Sequence, residues 1–235
     1  MTTFAALFFA HVLADYVFQT KAMVERKQEI PTLLLHTAIV ILTAYAALGR
    51  VDTWVPLAIA LAHFVIDVVK SRLAPSLVSY VVDQAAHIAT VAAAAWFLPG
   101  LFEGGFWPAE AATVMFVAGG LIFATRAGGF AVALLMARFE VETLPESLPA
   151  GGFWIGMLER AIIFLFILVG EPAGIGFLIA AKSILRFDTI RGDNRAAEYV
   201  IIGTLGSFGW AMAVAWATLE GLSYLPPLGF APFTP

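Results

Sequence analysis

The sequence predicts an all-α protein: a polytopic bundle of about eight transmembrane helices, with a polar site inside the first four. Three observations predict it. The 235 residues are 61% hydrophobic and only 13% charged, with a mean hydropathy of +0.90; a soluble domain carries roughly a quarter charged residues. Apolar runs near the 20 or so residues needed to cross a bilayer recur along the whole chain. All four histidines fall inside the first four of those runs.

The runs are taken in order as about 3–20, 31–49, 54–72, 80–98, 110–137, 153–169, 173–187 and 196–219. The first, opening "MTTFAALFFA", lacks the basic start of a cleavable signal and reads as a retained helix. Pro31, Pro75, "LPGLFEGGFWP", "LPESLPAGG" and Pro172 punctuate the breaks. The fifth run is too long for one upright span and contains "ATRAGGF", so a tilt, a glycine kink or a break are all open there. The tail ending "YLPPLGFAPFTP" reads as irregular. Residues 1–98 are expected to form a four-helix metal-site bundle and residues 99–235 a four-helix membrane region, both within one integral membrane unit. There is no internal repeat, low-complexity tract or loop long enough for a soluble domain.

Basic residues set the orientation. With eight spans, Lys21, Arg26, Lys27, Lys70, Arg72, Arg138, Arg186, Arg191 and Arg195 gather on one side and only Arg50 on the other. The first side is therefore expected to be cytoplasmic, with both termini periplasmic in a bacterial inner membrane. The absence of cysteine excludes a disulfide framework, a thiolate nucleophile and a Cys-type metal site. No Walker, dinucleotide-binding or Ser-His-Asp pattern occurs, and no nucleic-acid partner is expected.

The informative residues are His11, His36, His63 and His87, one per helix in the first four. Three have an aspartate four positions away: His11 with Asp15 in "HVLAD", His63 with Asp67 in "HFVID", and His87 with Asp83 in "DQAAH". Residues four apart share a helical face, so each pair can aim at a common point. Counted from the expected cytoplasmic ends, Asp15, His36, Asp67 and His87 lie about five or six residues inside, and His11 and His63 one turn deeper. Asp83 stands nearer the boundary, where a cap or a loop partner is an alternative.

Carboxylates inside a membrane are disfavoured by about 2.5–3.5 kcal/mol each on insertion scales. A single His/Asp pair is adequately explained by its own hydrogen bond. Three pairs plus His36 at matching depth point instead to a shared cation. Imidazole and carboxylate donors suit one or two divalent metals, Zn first, with Mn or Fe also served. Asp67 and Asp83 are the candidate catalytic carboxylates. Gln19, Gln84 and Thr20 are expected to orient the ligands, the two glutamines also reaching substrate.

A second polar group lies in the later runs. Lys182 and Arg186, four apart in "AAKSILRF", are candidates to hold an anionic head group. The alternative is snorkelling or a structural ion pair of Lys182 with Glu159 or Glu198. Glu159 and Arg160 in "GMLERAIIF" read as structural, and the role of Arg126 in "FATRAGG" is open.

The stretches "AHVLADYVFQT", "AHFVIDVVKSRL" and "DQAAHI" resemble the bacterial membrane proteins grouped under the domain of unknown function 3307, over about residues 3–97. "IGMLERAIIF", "IGFLIAAKSILRF" and "AEYVIIGTLGSFGWA" resemble the C-terminal extension of longer members. That family implies no particular activity. A remoter similarity is to membrane-bound metal-dependent hydrolases and helical zinc phospholipases C, although the histidine-rich second half of the phospholipase pattern is missing here.

The expected function is thus an intramembrane metal-dependent hydrolase acting on a phosphoester or other lipid-borne substrate from the cytoplasmic side. Its partners would be membrane lipid and metal ions, and a homo-oligomer is compatible. Two alternatives stand beside it: a metal-ion or proton-coupled transporter, and a haem or other redox protein. The outer halves "TTFAALFF", "AIVILTAYAAL" and "TVAAAAWFL" offer no polar path, against a transporter. Aspartates are poor company for haem.

Overall fold

A computed structural model of the chain describes residues 1–139, 148–187 and 194–228. Among the described residues the regular structure is helical throughout. Helix α1 spans Thr2–Leu13 and runs on into a π turn at Ala14–Phe18; α2 is a single turn at Lys21–Glu25. Then follow α3 (Ile30–Leu48), α4 (Val55–Lys70) and α5 (Leu77–Phe97). The fifth run is α6 (Ala109–Ile122), a π segment (Phe123–Ala127) and α7 (Gly128–Met136), continuous in sequence. Helices α8 (Gly151–Leu168), α9 (Ala173–Phe187) and α10 (Asn194–Leu222) complete the chain.

Every expected run is occupied by helix, and five helices are long and apolar enough to cross a membrane: Ile30–Leu48, Leu77–Phe97, Ala109–Met136, Gly151–Leu168 and Asn194–Leu222. The runs expected at 3–20, 54–72 and 173–187 are shorter helices. Helix α4, at 16 residues, is cut short because Pro56 opens it and the polar "KSR" and Pro75 follow it. The long fifth run carries a π segment, which inserts a residue into the helical ladder without ending it. Arg191 lies outside the described residues.

The distribution of polarity is that of a protein solvated by lipid. On α4, Leu57, Leu61 and Val65 repeat every fourth residue along the exposed face, while His63 and Asp67 are buried. A soluble helix has the opposite arrangement. Local signals match the sequence: Pro31 opens α3, Ser76 and Ser79 cap α5 reciprocally, and Gly49 ends α3 in the left-handed conformation, φ 67°.

The chain divides into two compact units, Met1–Ile122 with Glu220–Pro235, and Phe123–Leu219. In the first, α1 is central: it packs against α3, α5 and α6, while α4 bridges α3 and α5. Small residues let α1 sit so tightly, with Ala5, Ala6, Ala10 and Ala14 buried. Gly119 of α6 receives the Phe8 ring, which a methyl group there would meet at 3.1 Å. Thr3 ties the start of α1 to the loop after α5, donating to the Pro99 carbonyl at 2.6 Å and accepting from the Phe102 amide. In the second unit, α8 packs on α9, on α7 and on the π segment.

Candidate metal centre

Each of the four long-range partners of the first unit contributes to one point. Helix α1 supplies His11, and its terminal π turn supplies Asp15; such turns are found disproportionately at functional sites. Helix α3 contributes His36, α4 contributes His63 and Asp67 one turn apart, and α5 contributes Asp83 and His87. His11, His36, His63, Asp67, Asp83 and His87 are all buried. The structure thus brings all seven expected ligands together in a single network of contacts.

The geometry is specific. Asp15 Oδ1 lies 3.2 Å from His36 Nε2 and 3.4 Å from His63 Nε2, and the two imidazole nitrogens are 3.0 Å apart. Asp67 Oδ2 completes the figure at 3.6 Å from His36 Nε2 and 3.5 Å from His63 Nε2. Four donors bound tetrahedrally at about 2.0–2.1 Å would stand roughly 3.3–3.4 Å from one another. Five donor separations, at 3.0–3.6 Å, bracket that spacing, each carboxylate closing a triangle on the His36–His63 pair.

The remaining ligands flank it. His87 Nε2 is 3.6 Å from Asp83 Oδ1 and 3.9 Å from Asp67 Oδ1, and His11 Nδ1 is 3.9 Å from Asp15 Oδ1. Gln84 fixes two of them, its Nε2 donating to Asp83 Oδ2 at 3.3 Å and its Oε1 pairing with His11 Nε2 at 3.3 Å. Three donor triads are close enough to hold a metal ion: His11, His63 and His87; Asp15, His36 and His63; Asp67, Asp83 and His87. The buried atoms His11 Nδ1, His36 Nδ1, His87 Nε2 and Asp83 Oδ1 make no hydrogen bond. Buried polar atoms are almost always satisfied, so this concentration of orphans fits a cation.

Other expected residues sit elsewhere. The Gln19 amide nitrogen is buried without a hydrogen bond. Thr20, expected to orient ligands, instead caps α2 by accepting from the Met23 amide at 3.3 Å. Lys182 belongs to the second unit, where it donates to Glu159 at 2.7 Å; this is the structural pairing considered as its alternative. Arg186 lies on α9, with its side chain outside the described residues.

Two features escape sequence reasoning. Lys27, which counts only as a topological marker in the sequence, reaches into the cluster and places its ammonium 2.7 Å from Asp67 Oδ1. Burial works to lower its pKa, but the Asp67 and Asp15 carboxylates more than offset this and raise it. Nothing in the spacing of a loop lysine 40 positions from its partner announces such a contact. The second is a buried hydroxyl pair, Tyr16 and Tyr80, 2.5 Å apart. Here a signal exists: Tyr16 adjoins Asp15, and Tyr80 is three residues before Asp83, on the same helical face.

On its deep side the cluster meets a cavity of about 10 Å³, lined mainly by apolar residues such as Leu7, Val40, Ile59 and Val91. That is room for a single water molecule. Toward the other end of α4 an open cavity of about 700 Å³ is lined by Ile30, Leu33, Phe64, Val68 and Leu73, with Gln28 and Arg72 as polar members. Phe64 and Val68 immediately follow His63 and Asp67 in sequence.

No curated protein and no solved structure matches the chain. Residues 3–103, which carry all seven clustered side chains and Lys27, match the model of the family described as protein of unknown function (DUF3307), the family that the motifs of this segment resemble.

Proposed function

We propose that the first unit is a metal-dependent hydrolase built within the membrane, acting on a phosphoester or other lipid-borne substrate. The observation that carries it is the gathering of Asp15 and Asp67 on the His36–His63 pair, with three further donors beside it. Charge supports a single divalent ion. With neutral imidazoles, three carboxylates (Asp15, Asp67, Asp83) and one ammonium (Lys27) leave 1 − 3 = −2, which one such ion cancels.

The chemistry that zinc, or manganese or iron in its place, supplies in a site of this composition is Lewis acidity toward water and an ester oxygen. The chain's own residues divide the remaining tasks. Asp15, His36, His63 and Asp67 would hold the ion. Asp83 stands beside these four donors with Oδ1 free of hydrogen bonds, the position of a general base that accepts a proton there. Gln84 keeps its carboxylate and His11 in place. The 700 Å³ cavity, lined by apolar side chains with Gln28 and one guanidinium among its polar members, matches an amphiphile with an anionic head. The apolar lining of the deep side supports chemistry reached from one face over passage of an ion through the bundle.

Elemental analysis of protein purified without a histidine tag tests the reading. About one equivalent of zinc, manganese or iron is expected, together with chelator-sensitive release of phosphate from phosphatidate in detergent. Protein that retains no metal above background, and takes none up after chelation and reloading, overturns it.

A further inference from the structure

The second unit contains a buried charge that the metal site does not use. Arg160, on α8, is 4% exposed. Its Nε donates to the Thr125 carbonyl at 2.9 Å, within the π segment, and its Nη1 donates to Ser207 Oγ at 3.0 Å. Both acceptors are neutral. The guanidinium is made room for by glycines. A methyl group on Gly156 would stand 2.9 Å from Nη1, one on Gly128 would stand 2.9 Å from Cδ, and one on Gly129 would stand 3.2 Å from Nη2. Such a cradle positions the head of the side chain rather than leaving it to snorkel.

One residue earlier, Glu159 accepts from Lys182 at 2.7 Å. These two charges cancel each other, and among the described residues no carboxylate oxygen comes within ion-pair distance of Arg160. The group of Lys182, Arg160 and Glu159 therefore sums to 1 + 1 − 1 = +1. It stands on α8 and α9, of which α8 is long and apolar enough to cross a membrane. A net cation there is disfavoured unless something neutralises it.

A cavity of about 180 Å³ opens beside these groups, lined by Glu159, Arg160, Lys182, Tyr199, Thr204 and Ser207 among others. This is below the roughly 300–1,000 Å³ of sites that enclose drug-sized ligands, so the group it takes is small. Two cations and three hydroxyls converge on it. We propose that this cavity binds a phosphate group, with Arg160 as its principal charge partner and Lys182 and the hydroxyls completing its hydrogen bonds. A guanidinium already oriented by two fixed acceptors presents its remaining donors without further ordering, which suits phosphate. The bound group comes from inorganic phosphate or from the head of an anionic lipid. The inference does not depend on the metal site.

The test uses full-length protein in detergent, with binding measured by calorimetry and by the shift in Tm. Probes are inorganic phosphate, short-chain phosphatidate, and short-chain diacylglycerol as the phosphate-free control. Wild type is expected to bind phosphate or phosphatidate saturably and diacylglycerol not at all. Binding of free phosphate identifies the soluble source; binding of phosphatidate alone identifies the lipid head group. Arg160→Gln should weaken binding by at least about tenfold, the loss of a charge-assisted hydrogen bond. Gly203→Leu fills the same cavity, and a methyl group at Gly203 meets only Met136 Sδ at 3.4 Å. It too should abolish binding, and it decides the matter if the arginine variant does not fold. Binding of neither probe, binding unchanged in Gly203→Leu, or binding lost on metal chelation overturns the proposal.

Discussion

Replacing Lys27 by glutamine separates the two ways in which this protein can neutralise Asp67. One carboxylate oxygen, Oδ2, faces His36 and His63; the other, Oδ1, is 2.7 Å from the Lys27 ammonium. An ion bound by Oδ2 would sit roughly 5 Å from that ammonium, given metal–oxygen bonds of about 2 Å. Repulsion between a double and a single positive charge at this distance is about 1.7 kcal/mol with the screening of bulk water, and about 6.6 kcal/mol at an effective dielectric constant of 20. The lower figure alone makes metal binding more than about tenfold tighter once the charge is gone. The metal-free protein should respond the other way. Asp67 then loses its lysine ion pair, so the chelated variant should melt below chelated wild type, by less than the roughly 3–5 kcal/mol of a fully buried pair because the Lys27 side chain is 22% exposed. Because its pKa is raised, Lys27 keeps its proton at neutral pH. Its pairing is fully present below the ordinary lysine value and is lost only as pH climbs through the raised one. Competition with a chelating dye at pH 7.5 therefore compares a charged side chain with an uncharged one, and Lys27→Arg controls for the charge. A Lys27→Gln protein that binds metal no more tightly than wild type would refute the reasoning.

His36→Ala and Asp67→Asn each remove one of the four closest donors; both should lower metal content by at least tenfold in elemental analysis, with helix content by circular dichroism unchanged. Tyr16→Phe removes one hydroxyl from a buried pair and should cost about 1 kcal/mol, read as a lower Tm with metal content intact; a variant that loses metal would place that pair in the site. Gly105→Ala should destabilise the first unit by about 1–3 kcal/mol or more, because the added methyl would stand 2.0 Å from the Leu48 carbonyl oxygen, and backbone cannot yield as a side chain does. An unchanged Tm in that variant would count against the close packing of the 104–107 segment on the end of α3.

Much of the site was legible because helical periodicity is local. His11 with Asp15, His63 with Asp67, and Asp83 with His87 declare a shared face within five residues of sequence, and His36 joins them by depth alone. Which donors stand nearest one another was not legible. That depends on how α1, α3 and α4 pack together, on which the spacing within each helix is silent. Asp83 was the least certain ligand because it lies near the end of its run, yet Gln84 draws it in by a hydrogen bond between adjacent side chains. Span boundaries followed the prolines and glycines closely. The π turn at Ala14–Phe18 did not, since an i to i+5 bond leaves no signature in hydropathy. Lys27 was passed over because formal charge in a membrane sequence reads first as topology or snorkelling, and only coordinates show where a long flexible side chain ends.

The central position of α1 has a consequence for biogenesis. In the chain α1 precedes α5, which brings Asp83 and His87, and α6, which brings Gly119. Until those helices have been synthesised, His11 and Asp15 have no completed pocket to enter. The polar face of the nascent segment must meanwhile be sheltered by insertion machinery or by lipid head groups.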